Sequence, residues 1–197
     1  MYPTFGSRLY VFIRKRLIPL AGIEKYLPKK GTILDIGCGY GLASIYLALK
    51  SPARKVIGLE LSKKRVQIAR KAAKGIKNLE FRQQDFIKTK KLGKCSAILM
   101  IDLLHHIPYP TQKRLLQECY KKLNKKGILL IKDIATKPRH KYLWNYLHDK
   151  IMTKNQKLYF QHPKNLKNLL EHMGFRVKIK PMKSRLYPHI IYVCEKI

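Results

Sequence analysis

The chain has 197 residues and four cysteines set far apart, Cys38, Cys95, Cys119 and Cys194, with no C-x-x-C pair; this favours one domain with reduced thiols in a cytoplasm and argues against a zinc site. Its 43 Lys and Arg against 11 Asp and Glu give a formal net charge of +32, a surplus more easily tolerated beside a polyanion such as RNA, DNA or an anionic lipid surface, although single-sign charge also serves colloidal stability. No stretch of about 20 apolar residues is free of charge and the N-terminus lacks a signal peptide's long apolar segment, so neither secretion nor membrane spanning is expected.

In chain order, residues 1–30 read as a basic helical segment ahead of the main domain, 31–197. Within it, Ser7 to Leu20 places Leu9, Phe12, Ile13, Leu17 and Leu20 at helical spacing, with Arg8, Arg14, Lys15 and Arg16 mostly on other faces. Such a helix lies on anionic lipid, closes over substrate, or packs on the sheet. A second helical piece, Ala21 to Leu27, ends at Pro28. Thr32 to Ile36 then has the length of a buried parallel strand, with Asp35 near its end. Gly37, Gly39 and Gly41 follow at alternate positions before an apolar helical run resumes at Leu42. That spacing allows positive φ and close approach of a ligand to the turn and the helix N-terminus.

Lys55 to Leu59 reads as a second strand, and Glu60 ends it, with Leu61 beside it. A carboxylate about 20 positions beyond a glycine turn suits a ribose hydroxyl pair. Ser62 caps a helix that stops at Gly75. Asn78 to Gln84 gives a third strand followed by Asp85-Phe86, and Lys88 to Lys91 is a charge run. Cys95 to Ile101 is continuously apolar, as a central parallel strand should be. Asp102 to Pro108, DLLHHIP, occupies the rim where open α/β sheets place chemistry. A helix starts at Pro110-Thr111, Asn124 to Gly127 ends it, and Gly127 to Ile134 forms the fifth strand with Asp133 at its end. From Pro138 a lid-like helix carries Tyr142, Trp144 and Tyr146, with Leu143, Leu147 and Ile151 as its core stripe; its aromatics form either a substrate wall or simple packing. The chain closes with a helix, Pro163 to Met173, and two strands, Phe175 to Lys180 and Ile190 to Glu195.

The stretch D-I-G-C-G-Y-G from Asp35 to Gly41 resembles motif I of the class I S-adenosylmethionine (SAM) dependent methyltransferases. It lacks the G-x-G-x-x-G spacing of dinucleotide folds and the Gly-Lys-Ser/Thr of a P-loop. L-H-H-I after the fourth strand is similar to the segment found there in small-molecule and lipid-type members, and unlike the N/D-P-P-Y/F of amino-group methyltransferases. The resemblance implies a Rossmann-like α/β fold, a seven-stranded mostly parallel sheet with helices on both faces and the last strand antiparallel between the fifth and sixth. It implies SAM as cofactor, held by Asp35, Gly37, Cys38, Gly39 and Gly41 around the turn, Glu60 and Leu61 at the ribose, Asp85 and Phe86 at the adenine, and Asp102.

Methyl transfer is an in-line displacement that chiefly needs positioning, while a hydroxyl acceptor also loses a proton. A histidine titrates near neutral pH and can take that proton, so His106 and then His105 are the candidate bases, with Asp102 orienting a histidine or the SAM amino group. The expected acceptor is a small or lipid-like, hydroxylated or phenolic molecule held near an anionic membrane, and the protein is cytoplasmic or peripheral at the inner face of that membrane. RNA methylation, and SAM binding without transfer as a regulatory partner, are the alternatives.

Overall fold

The computed structural model describes residues 2, 6, 8, 11–12, 18, 20–89, 92–134, 143, 157–182 and 189–197. The strands are β1 (Gly31–Ile36), β2 (Arg54–Glu60), β3 (Leu79–Gln83), β4 (Cys95–Ile101), β5 (Leu123–Ile134), β6 (Phe175–Pro181) and β7 (His189–Lys196), with continuous apolar sequence in the central β4 and alternation in β6. They make one sheet in the order β3-β2-β1-β4-β5-β7-β6. β1 to β5 pair in parallel, and β7 lies antiparallel between β5 and β6. The Rossmann-like architecture, including the inserted last strand, is the one expected from the resemblance.

The helices are α1 (Leu20–Glu24), α2 (Leu42–Lys50), α3 (Lys63–Ala72), α4 (Tyr109–Lys122) and α5 (Pro163–His172). Because side chains alternate across a strand, each central strand feeds two cores. In β4, Ile98 and Met100 join Leu115 and Leu116 of α4 and Leu166 and Leu170 of α5. Ala97 and Leu99 join Ile23 of α1 and Leu47 of α2 on the other face. α3 packs Val66 and Ala69 with Phe81 of β3. Ser62 caps α3 as expected, its Oγ accepting from the Arg65 amide at 3.4 Å.

Three local expectations need correction. α1 ends at Glu24 rather than Leu27, since Pro28 disfavours helical geometry at the residue before it; the Leu27 amide donates instead to Glu24 O at 2.9 Å in a tight turn. β5 reaches back to Leu123 rather than starting at Gly127. Its pairing with β4 jumps from Cys95↔Leu123 to Ala97↔Ile128, with Lys126 at φ 60° in the bulge. Leu143 is helical but 57% exposed, so the core stripe read through it does not include it: its side chain faces water. Tyr142, Trp144 and Tyr146 lie outside the described residues, as do most of Ser7 to Leu20. Within that stretch Phe12 is helical and 55% exposed, and Ile18 is buried. Among the described residues, no helix is long and apolar enough to cross a membrane.

Candidate functional site

The strand order reverses between β1 and β4, which opens a crevice at the carboxyl ends of the strands. Asp35, Glu60, Asp85, Asp102 and Asp133 all stand at this edge, at or just beyond the ends of β1 to β5.

The β1–α2 turn shapes the first part. Gly41 caps α2 at φ 80°, where an added Cβ would sit 2.4 Å from Phe81 Cζ, so the close approach of turn and β3 requires glycine. A Cβ at Gly39, φ 57°, would meet nothing within 4 Å: this side of the turn is open. It borders an open cleft lined by Asp35, Cys38 and Ile101 and, from the N-terminal side, by Ile18 and Leu20. Asp35 is 2% exposed and its Oδ2 accepts from Ser44 Oγ at 2.6 Å. Burial raises its carboxyl to about 6 against the lowering effect of the Ser44 hydrogen bonds, and the Glu60 charge adds to the rise. The same burial, with Asp35 and Glu60 nearby, pushes the Cys38 thiol far up, so Cys38 is a neutral packing group.

Glu60 ties the turn to β2. Its Oε2 accepts from the Gly39 amide at 3.1 Å and its Oε1 from the Ser62 amide at 2.9 Å, which leaves acceptor capacity on both oxygens. Leu61 beside it is 67% exposed. Asp85 Oδ1 accepts from the Ile87 amide at 2.9 Å and so shapes its own loop, with Oδ2 remaining for a ligand. Phe86, expected beside a ring, is buried in the core with Leu92 and Leu104.

The second part is the rim after β4. Asp102 takes φ 50°, and its Oδ1 accepts from the fully buried Lys132 Nζ at 2.5 Å. The inner histidine is held by a different carboxylate: His105 Nδ1 hydrogen-bonds Asp133 Oδ1, and that oxygen also accepts from the Ile134 amide at 2.8 Å. Neighbours on a strand point to opposite faces, so Lys132 and Asp133 take different partners, Asp102 and His105. His105 is 2% exposed and its ring stacks on Phe160, centroids 5.0 Å apart. His106 is half-buried, its ring centroid 4.1 Å from that of His105. The histidine pair thus has one inner member held by a carboxylate and one outer member.

Sequence reasoning missed Gln112. It is fully buried in the first turn of α4, and its Nε2 donates to Leu104 O, Ile107 O and Tyr159 O at 3.0, 2.8 and 3.0 Å. One glutamine among the polar residues of an amphipathic helix carries no signal; only the return of the chain at 157–161 reveals its burial.

A family model described as a methyltransferase domain matches residues 5–178. The chain belongs to that family. The mitochondrial ubiquinone biosynthesis O-methyltransferase of Saccharomyces cerevisiae is 31% identical over 117 residues, covering 57% of this chain and 37% of that enzyme, so the chain spans little more than a third of that relative's length. Among solved structures, magnesium protoporphyrin IX methyltransferase from Synechocystis PCC 6803 with bound S-adenosylhomocysteine superposes with TM-score 0.67 at 20% identity, covering 98% of this chain and 84% of that one. An O-methyltransferase family protein from Burkholderia thailandensis gives TM-score 0.74 at 14% identity, covering 90% and 55%. These likenesses establish the class I SAM-dependent methyltransferase fold.

The residues of this methyltransferase domain fit SAM. A buried carboxylate at Asp35 lines the cleft, where a cationic ligand would offset the cost of its ionisation. The bare face of Gly39 leaves room for a ligand against the turn, and Glu60 retains acceptor capacity at the end of β2.

Proposed function

We propose that this domain transfers the methyl group of SAM to a hydroxyl of a small or lipid-like acceptor. The observation that carries this reading is the histidine pair backed by Asp133, on the same strand ends as the Asp35 cleft. When bound, SAM supplies a methyl carbon activated by its sulfonium. Asp35, the Gly37 to Gly41 turn with Cys38, Glu60, Leu61 and Asp85 hold it. His106, the outer histidine, takes the proton that the acceptor hydroxyl releases, and His105 with Asp133 lies behind it. The yeast relative's name, an O-methyltransferase of ubiquinone biosynthesis, supports a ring-bearing, lipid-like acceptor.

Labelled methyl transfer from SAM into a membrane-lipid extract, compared with total RNA from the same cells, tests the acceptor class. His106→Ala should lower the chemical step by about 10²–10⁴ and leave the calorimetric SAM affinity unchanged. An unaltered rate would remove His106 from the chemistry. A second reading, RNA as the acceptor, is favoured by the exposed lysines at the edge where the chain enters the parallel strands, Lys29, Lys30, Lys77 and Lys94 with Lys125 and Lys126 of the β5 bulge.

A further inference from the structure

The rim turn that carries the histidines is short, a 3-10 turn over Leu104–His106 with three residues and no side-chain cap. Nothing in its own length makes it rigid. Its rigidity comes from elsewhere. Gln112 Nε2 has two protons and faces three carbonyl oxygens, Leu104 O and Ile107 O on either side of the histidines and Tyr159 O from the returning chain. Its Oε1 accepts from Gln161 Nε2 at 3.0 Å. This set of partners fixes the orientation of the amide: the flipped form would oppose an oxygen to three oxygens.

The returning chain is bound to the turn at further points. The Tyr159 amide donates to His105 O at 2.7 Å, Tyr109 Oη donates to Phe160 O at 3.0 Å, and the Phe160 ring lies on the His105 ring with 9° between their planes. Residues 157–161 therefore form a strap across the histidine turn, and Gln112 bonds turn and strap together through a single side-chain amide. We propose that Gln112 is a positioning residue: it locks the strap onto the histidine turn and thereby fixes the His105 ring between Asp133 and Phe160. The consequence for catalysis, that His106 is presented in a constant place, rests on the methyltransferase reading. The locking does not.

Nuclear magnetic resonance on the ligand-free protein separates the two. In Gln112→Met, which keeps the volume and removes the donor, hydrogen exchange of the Tyr159 amide should accelerate at least about tenfold through local opening, while that of the Leu99 amide in central β4 stays as in the parent. The ring protons of His105 should lose the ring-current shift imposed by Phe160. A merely structural role would raise exchange at Leu99 and Tyr159 alike and would overturn the proposal, as would parent-like Tyr159 exchange and His105 shifts. Gln161→Ala, which leaves α4 intact, should move both signals in the same direction by a smaller amount; if Gln112→Met fails to fold, unchanged signals in Gln161→Ala overturn the proposal. Should an acceptor be found, Gln112→Met should lower kcat about tenfold, by loss of positioning, without changing SAM affinity. Absence of methyl transfer in the parent would count against the function and leave the exchange result standing.

Discussion

Asp35 is a buried acid that the fold tolerates at a cost. Its carboxyl is raised to about 6, first by burial, then by Glu60, and less than it would be without Ser44. A raised pKa means that the folded state binds the proton more tightly than the unfolded chain, whose carboxyl titrates near 4. The stabilising contribution is therefore complete below about pH 4 and is lost as pH rises through about 6, so at neutral pH the ionised group costs up to about 3 kcal/mol. Asp35→Asn should remove that dependence, melt higher than the parent at pH 8 and bind SAM more weakly. Denaturation curves from pH 4 to 8, with and without SAM, measure all three; a variant with the parent's pH profile would mean that Asp35 does not titrate in this range. Asp35 was legible in the sequence because strand, acid and glycines adjoin. The pairing of His105 with Asp133 was not, because it depends on interstrand register: Ile101 pairs with Lys132, so the chain leaving β4 turns back over the end of β5. Asp102, near the histidines in sequence, was the plausible partner without that register.

At the level of elements, the apolar run of β4 announced a central strand, whereas β3 (LEFRQ) and β6 (FRVKIKP) mix apolar with charged residues, and the largest shift of an end came where tertiary pairing overrode local signals, in the β5 bulge. Arg54 is the clearest case of a residue whose role no run could disclose. Placed at the start of β2 in a chain crowded with cations, it reads as one more surface charge, yet it is 1% exposed. Its Nη2 meets Glu24 Oε1 of α1 at 2.6 Å, its Nε donates to Pro28 O at 2.8 Å, and its Nη1 donates to Leu47 O of α2 at 3.2 Å. One guanidinium thus joins α1, the entry to β1 and the end of α2, and α1 is too short to hold its place alone. Arg54→Ala should cost about 3 kcal/mol in urea unfolding, since it strands two carbonyls and a carboxylate that face a buried cation. The partly exposed Arg82, paired with the exposed Glu80, is the contrast: Arg82→Ala should change stability by less than about 1 kcal/mol. Equal losses in the two variants would show that Arg54 is not the staple described.

On the scale of the molecule, the acids that end the strands and a set of exposed lysines stand at opposite edges of the sheet. The carboxyl ends hold Asp35, Glu60, Asp85, Asp102 and Asp133, while the opposite edge, where the chain enters β1, β3, β4 and β5, exposes Lys29, Lys30, Lys77, Lys94, Lys125 and Lys126. The lysine edge suits a phosphate backbone, which needs a row of cations and no apolar insertion. A lipid surface makes a different demand, because stable interfacial binding adds buried apolar side chains to charge, and the exposed, helical Phe12 of the basic N-terminal segment offers one. The two readings therefore depend on different residues. If RNA is the partner, Gln at Lys77, Lys94, Lys125 and Lys126 should weaken binding to an RNA duplex and flatten the salt dependence by about 0.9 in the log–log slope for each phosphate no longer neutralised, while Phe12→Ser leaves both unchanged. If an anionic membrane is the partner, Phe12→Ser should release the protein from phosphatidylserine vesicles, and the four lysine changes should have the smaller effect. Binding of parent and variants to both probes across a salt series reads this directly. Vesicle binding abolished by Phe12→Ser, with RNA binding weak and insensitive to the lysines, would favour the lipid-like acceptor; the reverse pattern would move the acceptor to RNA.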